Sequence, residues 1–296
     1  MPEPAPAAAI RHHYADGPHG QVHVAVAGAG APLVLLGGAP RSGRQFEALV
    51  PFLAGRHRMI MPDMPGFGNS APIPDGAGLS EVARSIVAVL DGLKIDRAHL
   101  FGLHSGAKVS AALAAEAGGR CSSVVIAGKS HSLIPDMARR AEVMRAIVEG
   151  LYFADGADEG FDSLRGWAAA GRVLSRYWWD DALFRAEDVP TALRAVEARV
   201  IDDLLGRRNA RAFYEANFTF DFADAVRRIA VPAMILEITG DREDAVYGRQ
   251  GERLRALLPT ARMENLPDVD PAGLGVQADP AALARLIGDF IAGVPA

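Results

Sequence analysis

His99-Leu-Phe-Gly-Leu-His-Ser-Gly106 is the stretch that decides the fold of this chain. It begins within an apolar run, 98–102, whose length and composition predict a buried strand. The alanine-rich segment 107–115 follows almost at once, and its composition predicts a helix. A strand that passes into a helix with so few intervening residues requires a tight, strained turn. We therefore predict a strand–turn–helix unit with its tip at His104 or Ser105.

The glycines of this stretch favour one of the two tips. With His104 at the tip, both positions two residues away are glycine, so no side chain collides with the neighbouring backbone. With Ser105 at the tip, Leu103 and Ala107 would take those places, and the leucine fits poorly. The sequence favours His104, and Ser105 remains the alternative.

Outward from this turn, strand and helix patterns alternate along the chain. Strands are predicted at 21–27, 32–36, 58–62, 98–102, 122–128, 233–238 and near 262–265. Helices are predicted at 44–54, 79–90, 107–115, 248–258 and 280–291. Such alternation predicts an α/β fold with a mostly parallel central sheet flanked by helices.

The alternation is interrupted once, between residues 130 and 227. This stretch has helical patterns without a convincing strand and is far too long for a connecting loop. We predict that 130–227 forms an inserted helical cap, and that 11–129 together with 228–296 forms the α/β core. The proline- and alanine-rich residues 1–10 are expected to form a flexible tail.

Composition narrows the function classes. The formal net charge of −5 argues against a nucleic-acid partner, and no stretch has the roughly 18 apolar residues of a membrane span. Cys121 is the single cysteine, which excludes an internal disulfide and predicts a cytoplasmic protein. At a strand start it is expected to be a core residue. Histidines and acids show no metal-ligand spacing, so we predict no metal, and we expect no cofactor. We also expect a small-molecule substrate.

Four motifs arrive in an order that resembles the α/β-hydrolase superfamily. They are Val34-Leu-Leu-Gly-Gly-Ala-Pro40, Met61-Pro-Asp-Met-Pro-Gly-Phe-Gly-Asn-Ser70, the stretch His99–Gly106, and Ile229-Ala-Val-Pro-Ala-Met-Ile-Leu236. Gly37 stands where the first family motif usually has a histidine. The resemblance implies a capped α/β-hydrolase fold with an atypical Gly-x-His-Ser-Gly nucleophile elbow. In this family Asp63 usually supports its turn by bonding to loop backbone.

The family's catalytic histidine has no counterpart. The resemblance implies a triad in the chain order nucleophile, acid, histidine, but no histidine lies beyond His131. The family position falls near Gly273. A serine hydroxyl without such a base stays protonated and weakly nucleophilic. His104 is therefore the candidate general base or nucleophilic imidazole, because imidazole can accept a proton near neutral pH.

Other family positions are filled. The resemblance implies an oxyanion site near Gly38, built from the backbone N–H groups of Ala39 and Ser105, and one such donor is worth about 3 kcal/mol. The acid is expected after the strand at 233–238, where the chain reads Thr239-Gly-Asp-Arg-Glu-Asp244. Asp241 and Asp244 are the best placed, and Glu243 is a third choice.

Further polar and aromatic residues are pocket candidates. Lys129 and His131 directly follow a predicted buried strand, at the sheet edge where ligands bind in such folds. Arg41 follows the Gly-Gly pair and is either a carboxylate ligand at the cap entrance or a surface residue. Lys108 is expected to reach solvent. The cap's aromatic side chains are expected to line an apolar cavity or to pack the cap on the core: Trp167, Tyr177, Trp178 and Trp179.

Three functions fit these observations. The first is hydrolysis of a small apolar ester, lactone or amide by water that His104 activates. The second is a lyase, isomerase or cyclase in which His104 moves a proton and the same amides hold an enolate. The third is a ligand-binding protein without turnover, which a ligand would stabilise thermally.

Overall fold

A central sheet of eight strands organises the molecule, seen here in a computed structural model. The structure describes residues 8–134, 136–139, 141–142, 145–146, 201–202, 205–206, 209–240, 244–245, 247–267 and 279–295. The strands are β1 (Arg11–Gly17), β2 (Gly20–Ala27), β3 (Ala31–Leu36), β4 (His57–Pro62), β5 (Ala98–Leu103), β6 (Cys121–Ala127), β7 (Ala233–Thr239) and β8 (Arg262–Pro267).

The sheet is mostly parallel, which confirms the predicted fold class. Its strand order is β1-β2-β4-β3-β5-β6-β7-β8. β2 pairs antiparallel with both β1 and β4, while every pair from β4 to β8 is parallel. The carboxyl ends of β3, β5, β6 and β7 therefore meet at one edge, which is where α/β sheets bind ligands.

Helices cover both faces of the sheet. The described α-helices are α1 (Val50–Leu53), α2 (Leu79–Gly92), α3 (Ser105–Glu116), α4 (Ala210–Thr219), α5 (Phe222–Arg227), α6 (Gly251–Leu257) and α7 (Pro280–Ala292). Short 3₁₀ helices span Gly43–Leu49, Gly118–Arg120 and His131–Leu133. Among the described residues, none of these helices is long and apolar enough to cross a membrane.

The alternation of β3 shows how one strand feeds two cores. Val34 and Leu36 are buried with α2 and α3, whereas Leu33 and Leu35 are buried on the other face with α1 and α7. Successive side chains of a strand point to opposite faces, so a run that is apolar throughout is what a doubly covered strand needs. Each fully buried leucine or valine contributes about 1.5–3 kcal/mol.

The final helix illustrates a boundary that the sequence specifies locally. Asp279 caps α7 by accepting a 2.8 Å hydrogen bond from the backbone N–H of Ala282, and Pro280 takes the first helical position. Leu283, Ile287 and Phe290 are buried along one face at helical spacing. The predicted helix at 280–291 is confirmed.

The edge strand β1 was not predicted. Its first four residues, Arg11 to Tyr14, are all exposed, so the strand shows no alternation of buried and exposed side chains there. It is held by antiparallel pairing with β2. Ahead of it, Ala8 and Ile10 pack partly buried against the core, while residues 1–7 lie outside the described part. The boundaries of tail, core and cap remain predictions, since 147–200 is also outside it.

Candidate active site

The turn between β5 and α3 places a strained residue at the edge where the parallel strands end. His104 has φ 51° and ψ −111°, and α3 begins at the next residue. A non-glycine residue with such a backbone costs of order 1–3 kcal/mol, and such residues cluster at functional sites. The strained residue of this turn is therefore His104, midway between Gly102 and Gly106.

Close backbone contacts explain those glycines. A Cβ on Gly102 would lie 2.4 Å from the carbonyl oxygen of Gly106, and a Cβ on Gly106 would lie 2.1 Å from that of Leu36. Such distances essentially never occur, so any side chain would force the backbone apart. The absence of side chains thus brings the first turn of α3 against the end of β3 and the loop that follows it.

The His104 imidazole lies between two further glycines. A Cβ on Gly38 would sit 3.5 Å from Cβ and Cδ2 of His104, an ordinary contact, whereas one on Gly128 would sit 2.8 Å from Cε1 and Nδ1. Nδ1 also lies 3.2 Å from both the backbone nitrogen and the carbonyl oxygen of Lys129. One residue can therefore donate to a bare Nδ1 or accept from a protonated one.

The two predicted oxyanion residues are brought together, but in an unexpected way. The backbone N–H of Ala39 donates a 2.7 Å hydrogen bond to the hydroxyl oxygen of Ser105. The Ser105 backbone belongs to the first turn of α3, where N–H groups have no partner within the helix. Gly38 lies close to the imidazole of His104. The turn after Gly38 is closed by a hydrogen bond from the backbone N–H of Arg41 to the Gly38 carbonyl. The amide of Ala39 is thus already engaged by a side chain.

A buried ion cluster lies behind His104. The Lys129 side chain is 1% exposed, with Nζ 2.5 Å from Oδ1 of Asp244 and 3.6 Å from Oε1 of Glu237. Arg249 also pairs with Glu237, at 2.9 Å. The Lys129 amine therefore contacts two carboxylates, and its main chain, not its side chain, is what the structure places against His104.

Glu237 is the centre of this cluster and was missed from the sequence. Burial alone would raise the pKa of its carboxyl, but a hydrogen bond from Arg249, backbone N–H bonds from Gly251 and Gln250, and nearby Lys129 lower that pKa to about 2. It is 5% exposed within β7. A charged residue inside the otherwise apolar run 233–238 was the signal that sequence reasoning passed over.

Gln250 completes the link between the loops after β6 and β7. Its side chain accepts a 2.7 Å hydrogen bond from the backbone N–H of Ser130 and donates a 2.9 Å bond to the Ser130 carbonyl. Because the backbone of Gln250 binds Glu237 at 2.7 Å, the loop carrying Lys129 is fixed to β7 at several points. No sequence motif marked this glutamine.

The expectation that Lys108 reaches solvent was wrong. Lys108 is 1% exposed, and its Nζ donates a 2.7 Å hydrogen bond to the backbone carbonyl of Asn217 in α4. Burial lowers the pKa of its amine to about 7. The sequence did not indicate that α4 covers this side of α3.

Asp63 supports its turn, as predicted. Its carboxylate accepts hydrogen bonds from the backbone N–H groups of Gly43, at 2.8 Å, and Asn69, at 2.9 Å. It also lies 2.8 Å from Nδ1 of His23. The residue therefore joins the loops after β3 and β4 with strand β2.

The remaining predicted residues divide into two sets. Cys121 begins β6 fully buried, as predicted, and burial raises the pKa of its thiol to about 12. Gln45 fills the space beside Gly37, where the resembled family has a histidine. The predictions that lie outside the described residues are the side chain of His131, together with Asp241, Glu243, Gly273, Trp167, Tyr177, Trp178 and Trp179.

No described group of three or more histidine, cysteine or acidic side chains has the arrangement to hold a metal ion. Around His104, the imidazole has a backbone partner at Nδ1, the backbone N–H of Ser105 lies in the first turn of α3, and that of Ala39 donates to the Ser105 hydroxyl. Such an imidazole can move a proton at Nε2, and such amides stabilise negative charge on an oxygen.

Comparison with known proteins agrees with the fold. The α/β hydrolase fold family matches residues 31–269. The chain is 33% identical over 114 residues to 2-hydroxy-6-oxo-6-phenylhexa-2,4-dienoate hydrolase of Burkholderia cepacia, covering 36% of this chain and 40% of that protein. It is 32% identical over 101 residues to a soluble epoxide hydrolase of Corynebacterium sp. (strain C12), covering 34% and 35%. The matches span less than half the length of these curated relatives.

Solved structures extend the likeness to nearly the whole chain. An enol-lactonase from Burkholderia xenovorans LB400 superposes with a TM-score of 0.70 at 22% identity, covering 95% of this chain and 100% of that one. A thermophilic esterase from Thermogutta terrifontis gives 0.71 at 20% identity, covering 96% and 99%. At these identities the likeness concerns the fold. Together with the family match, it establishes that this chain belongs to the α/β hydrolase fold family.

Proposed function

We propose that this chain is a hydrolase that cleaves a small, largely apolar ester, lactone or amide, with His104 as the general base for water. The observation that carries the proposal is the strained backbone of His104, whose Nδ1 lies 3.2 Å from both polar backbone atoms of Lys129. Strain of this kind persists only where the surroundings impose it. A histidine without a function would need neither the strained backbone nor the contacts of Nδ1 with Lys129.

The Lys129 carbonyl can hold the form of the imidazole that acts as a base. When the Lys129 carbonyl accepts from Nδ1–H, Nε2 is the unprotonated ring nitrogen, which is the one that can take a proton from water. The imidazolium that forms keeps the same Nδ1–H bond. In a triad a carboxylate performs this orienting task. Here the backbone of Lys129 performs it, and the side chain of Lys129 is held by buried ion pairs with Asp244 and Glu237.

The reaction then proceeds through a tetrahedral intermediate. Water adds to the carbonyl carbon as Nε2 of His104 takes its proton, and the carbonyl oxygen gains negative charge. The backbone N–H groups of Ser105 and Ala39 stabilise that charge, each by about 3 kcal/mol. The imidazolium returns its proton to the leaving oxygen or nitrogen as the bond to carbon breaks. No covalent acyl-enzyme forms on serine.

The relatives help choose the first substrates. Proteins named as an enol-lactonase and an esterase share the fold over almost the whole chain. Curated relatives that match a shorter part are named as hydrolases. Esters and lactones are therefore the classes to assay first, with p-nitrophenyl butyrate and dihydrocoumarin as probes.

The test compares wild type with His104→Ala and with His13→Ala. His13 is exposed on β1, so its variant controls for loss of a histidine away from the site. We expect His104→Ala to lower kcat by about 10²–10⁴, the usual contribution of a general base, and His13→Ala to match wild type. The two variants should have similar thermal unfolding midpoints to wild type.

Isotope labelling separates hydrolysis from the competing functions. In water enriched in ¹⁸O, hydrolysis places one labelled oxygen in the acid product. Turnover without label would favour a lyase, isomerase or cyclase, and full activity in His104→Ala would rule out the base assigned here. Thermal stabilisation by a ligand that is recovered unchanged would favour the ligand-binding function.

A further inference from the structure

The hydroxyl of Ser105 occupies a place that the proposed function leaves for the substrate. Its oxygen accepts the 2.7 Å hydrogen bond from the backbone N–H of Ala39. That amide is one of the two donors expected to hold the oxyanion. A donor with a 2.7 Å partner is fully engaged, because N–H···O distances in proteins centre near 2.9–3.0 Å.

The surroundings make this oxygen resemble a bound ligand oxygen. Ser105 begins α3, and the His104 side chain makes no capping hydrogen bond to that helix. The start of a helix attracts negative or partly negative groups, through its N–H donors and its dipole. Because a Cβ on Gly106 would meet the carbonyl oxygens of Leu36 and Gly37, the loop with Ala39 lies tightly against this first turn.

We propose that the Ser105 hydroxyl is an internal occupant of the oxyanion site, which the carbonyl oxygen of the substrate displaces. This inference rests on the proposed function. Ser105 is then a positioning and selectivity residue: its backbone serves the reaction while its side chain competes with the ligand. An oxygen that carries negative charge accepts a hydrogen bond about twice as strong as a neutral one does, so it displaces the hydroxyl more readily than a neutral carbonyl does.

The inference predicts the opposite sign from loss of a catalytic group. Ser105→Ala removes the competitor and leaves both backbone donors, so kcat/KM for p-nitrophenyl butyrate should rise on the order of fivefold, the value of one net neutral hydrogen bond. The inhibition constant of butyrate, whose carboxylate uses the same donors, should fall by a similar factor. Ser105→Thr keeps the hydroxyl and should return both values toward wild type.

Ser110→Ala is the matched control, since it removes a buried hydroxyl from the same helix at a position outside the proposed site. It should leave kcat/KM and butyrate inhibition unchanged. A fall in kcat/KM for Ser105→Ala, with Ser110→Ala unaffected, would overturn the inference, because the hydroxyl would then take part in the chemistry. Unchanged values for Ser105→Ala would overturn it as well.

A binding measurement makes the test independent of turnover. Isothermal titration of butyrate into wild type, Ser105→Ala and Ser110→Ala reports displacement of the hydroxyl even where no ester is cleaved. A wild type without esterase or lactonase activity would contradict the proposed function, while an approximately fivefold tighter butyrate complex with Ser105→Ala would still support the internal occupant. Absence of that gain would contradict the occupant alone.

Discussion

At the scale of single residues, the site depends on groups that are absent. Gly102 and Gly106 allow two segments of backbone to touch, while Gly38 and Gly128 leave space for the His104 ring. A side chain at Gly128 would collide with the ring, so the missing side chain gives the ring room at this position. Pre-organisation of this kind is what the role proposed for His104 requires.

Gly128→Ala tests how far the position of the ring matters. Gly128 has φ +77°, and an added Cβ would lie 2.8 Å from Cε1 and Nδ1 of His104. Gly248→Ala is the matched control, because Gly248 has φ +68° and nothing within 4 Å. Both variants should lose about 1 kcal/mol of stability from the left-handed backbone.

If His104 is the general base as proposed, only Gly128→Ala should also lower kcat for p-nitrophenyl butyrate, by roughly 10²-fold, the loss expected when a reacting group moves by about 1 Å. Equal kcat values in the two variants, measured beside their unfolding free energies, would show that the ring tolerates displacement.

At the scale of elements, a buried lysine joins two helices. Lys108 lies in α3, four residues after His104, and its amine donates to the Asn217 carbonyl in α4. The lowered pKa, about 7 against an ordinary 10.5, is caused by burial alone. Among the described residues no carboxylate pairs with this amine, so the charged form is the costly one.

Lys108→Met is expected to stabilise the protein most at low pH. Between pH 7 and 10.5 the unfolded chain holds a proton that the folded chain has released, so wild-type stability rises with pH there. Below pH 7 the folded state carries the full cost of a buried charge. The variant should therefore gain roughly 1–3 kcal/mol at pH 6, less one hydrogen bond to Asn217, and show no such gain at pH 10.

Urea unfolding at pH 6, 8 and 10 measures this effect. Lys94→Met is the control, because Lys94 is exposed and its replacement should leave the free energy of unfolding nearly unchanged at each pH. If Lys108→Met is less stable than wild type at pH 6, the hydrogen bond to α4 outweighs the cost of the charge.

At the scale of the whole molecule, two histidines make the free energy of unfolding depend on pH in the acid range. His57 begins β4 and His99 lies in β5, both toward the amino ends of the parallel strands and away from the site. Burial lowers the pKa of each imidazole; nearby Arg56 adds to this at His57, and His57 and Arg97 add to it at His99. His99 Nδ1 also lies 2.8 Å from Ser123 Oγ.

The free energy of unfolding should therefore fall as the pH drops below about 6.5. In that range the two histidines are protonated in the unfolded chain but not in the folded one. The free energy of unfolding then changes by at most about 1.4 kcal/mol per pH unit for each group. The double variant His57→Gln/His99→Gln should flatten the slope between pH 6.5 and 5. His13→Gln, at an exposed position, should not. Denaturant titrations across this range measure it, and an unchanged slope in the double variant would assign the effect to other groups.

The sequence by itself determined the elements and their order. Apolar runs predicted every strand of the sheet except the exposed β1, and the glycine spacing at 102 and 106 indicated where the chain must turn sharply. These features are local, because periodicity and glycine conformations act over a few residues. The family motifs are local as well, and their order along the chain carried the family resemblance.

Tertiary structure decided which polar groups meet. Lys108 is buried because α4, about a hundred residues away in sequence, covers it. Glu237 and Gln250 joined the site through the pairing of β6 with β7, and Ser105 met Ala39 because α3 packs against the end of β3. Hydrogen bonds require donor and acceptor atoms to lie about 3 Å apart to within a few tenths of an ångström, and atoms of distant segments reach such distances only when the sheet has formed.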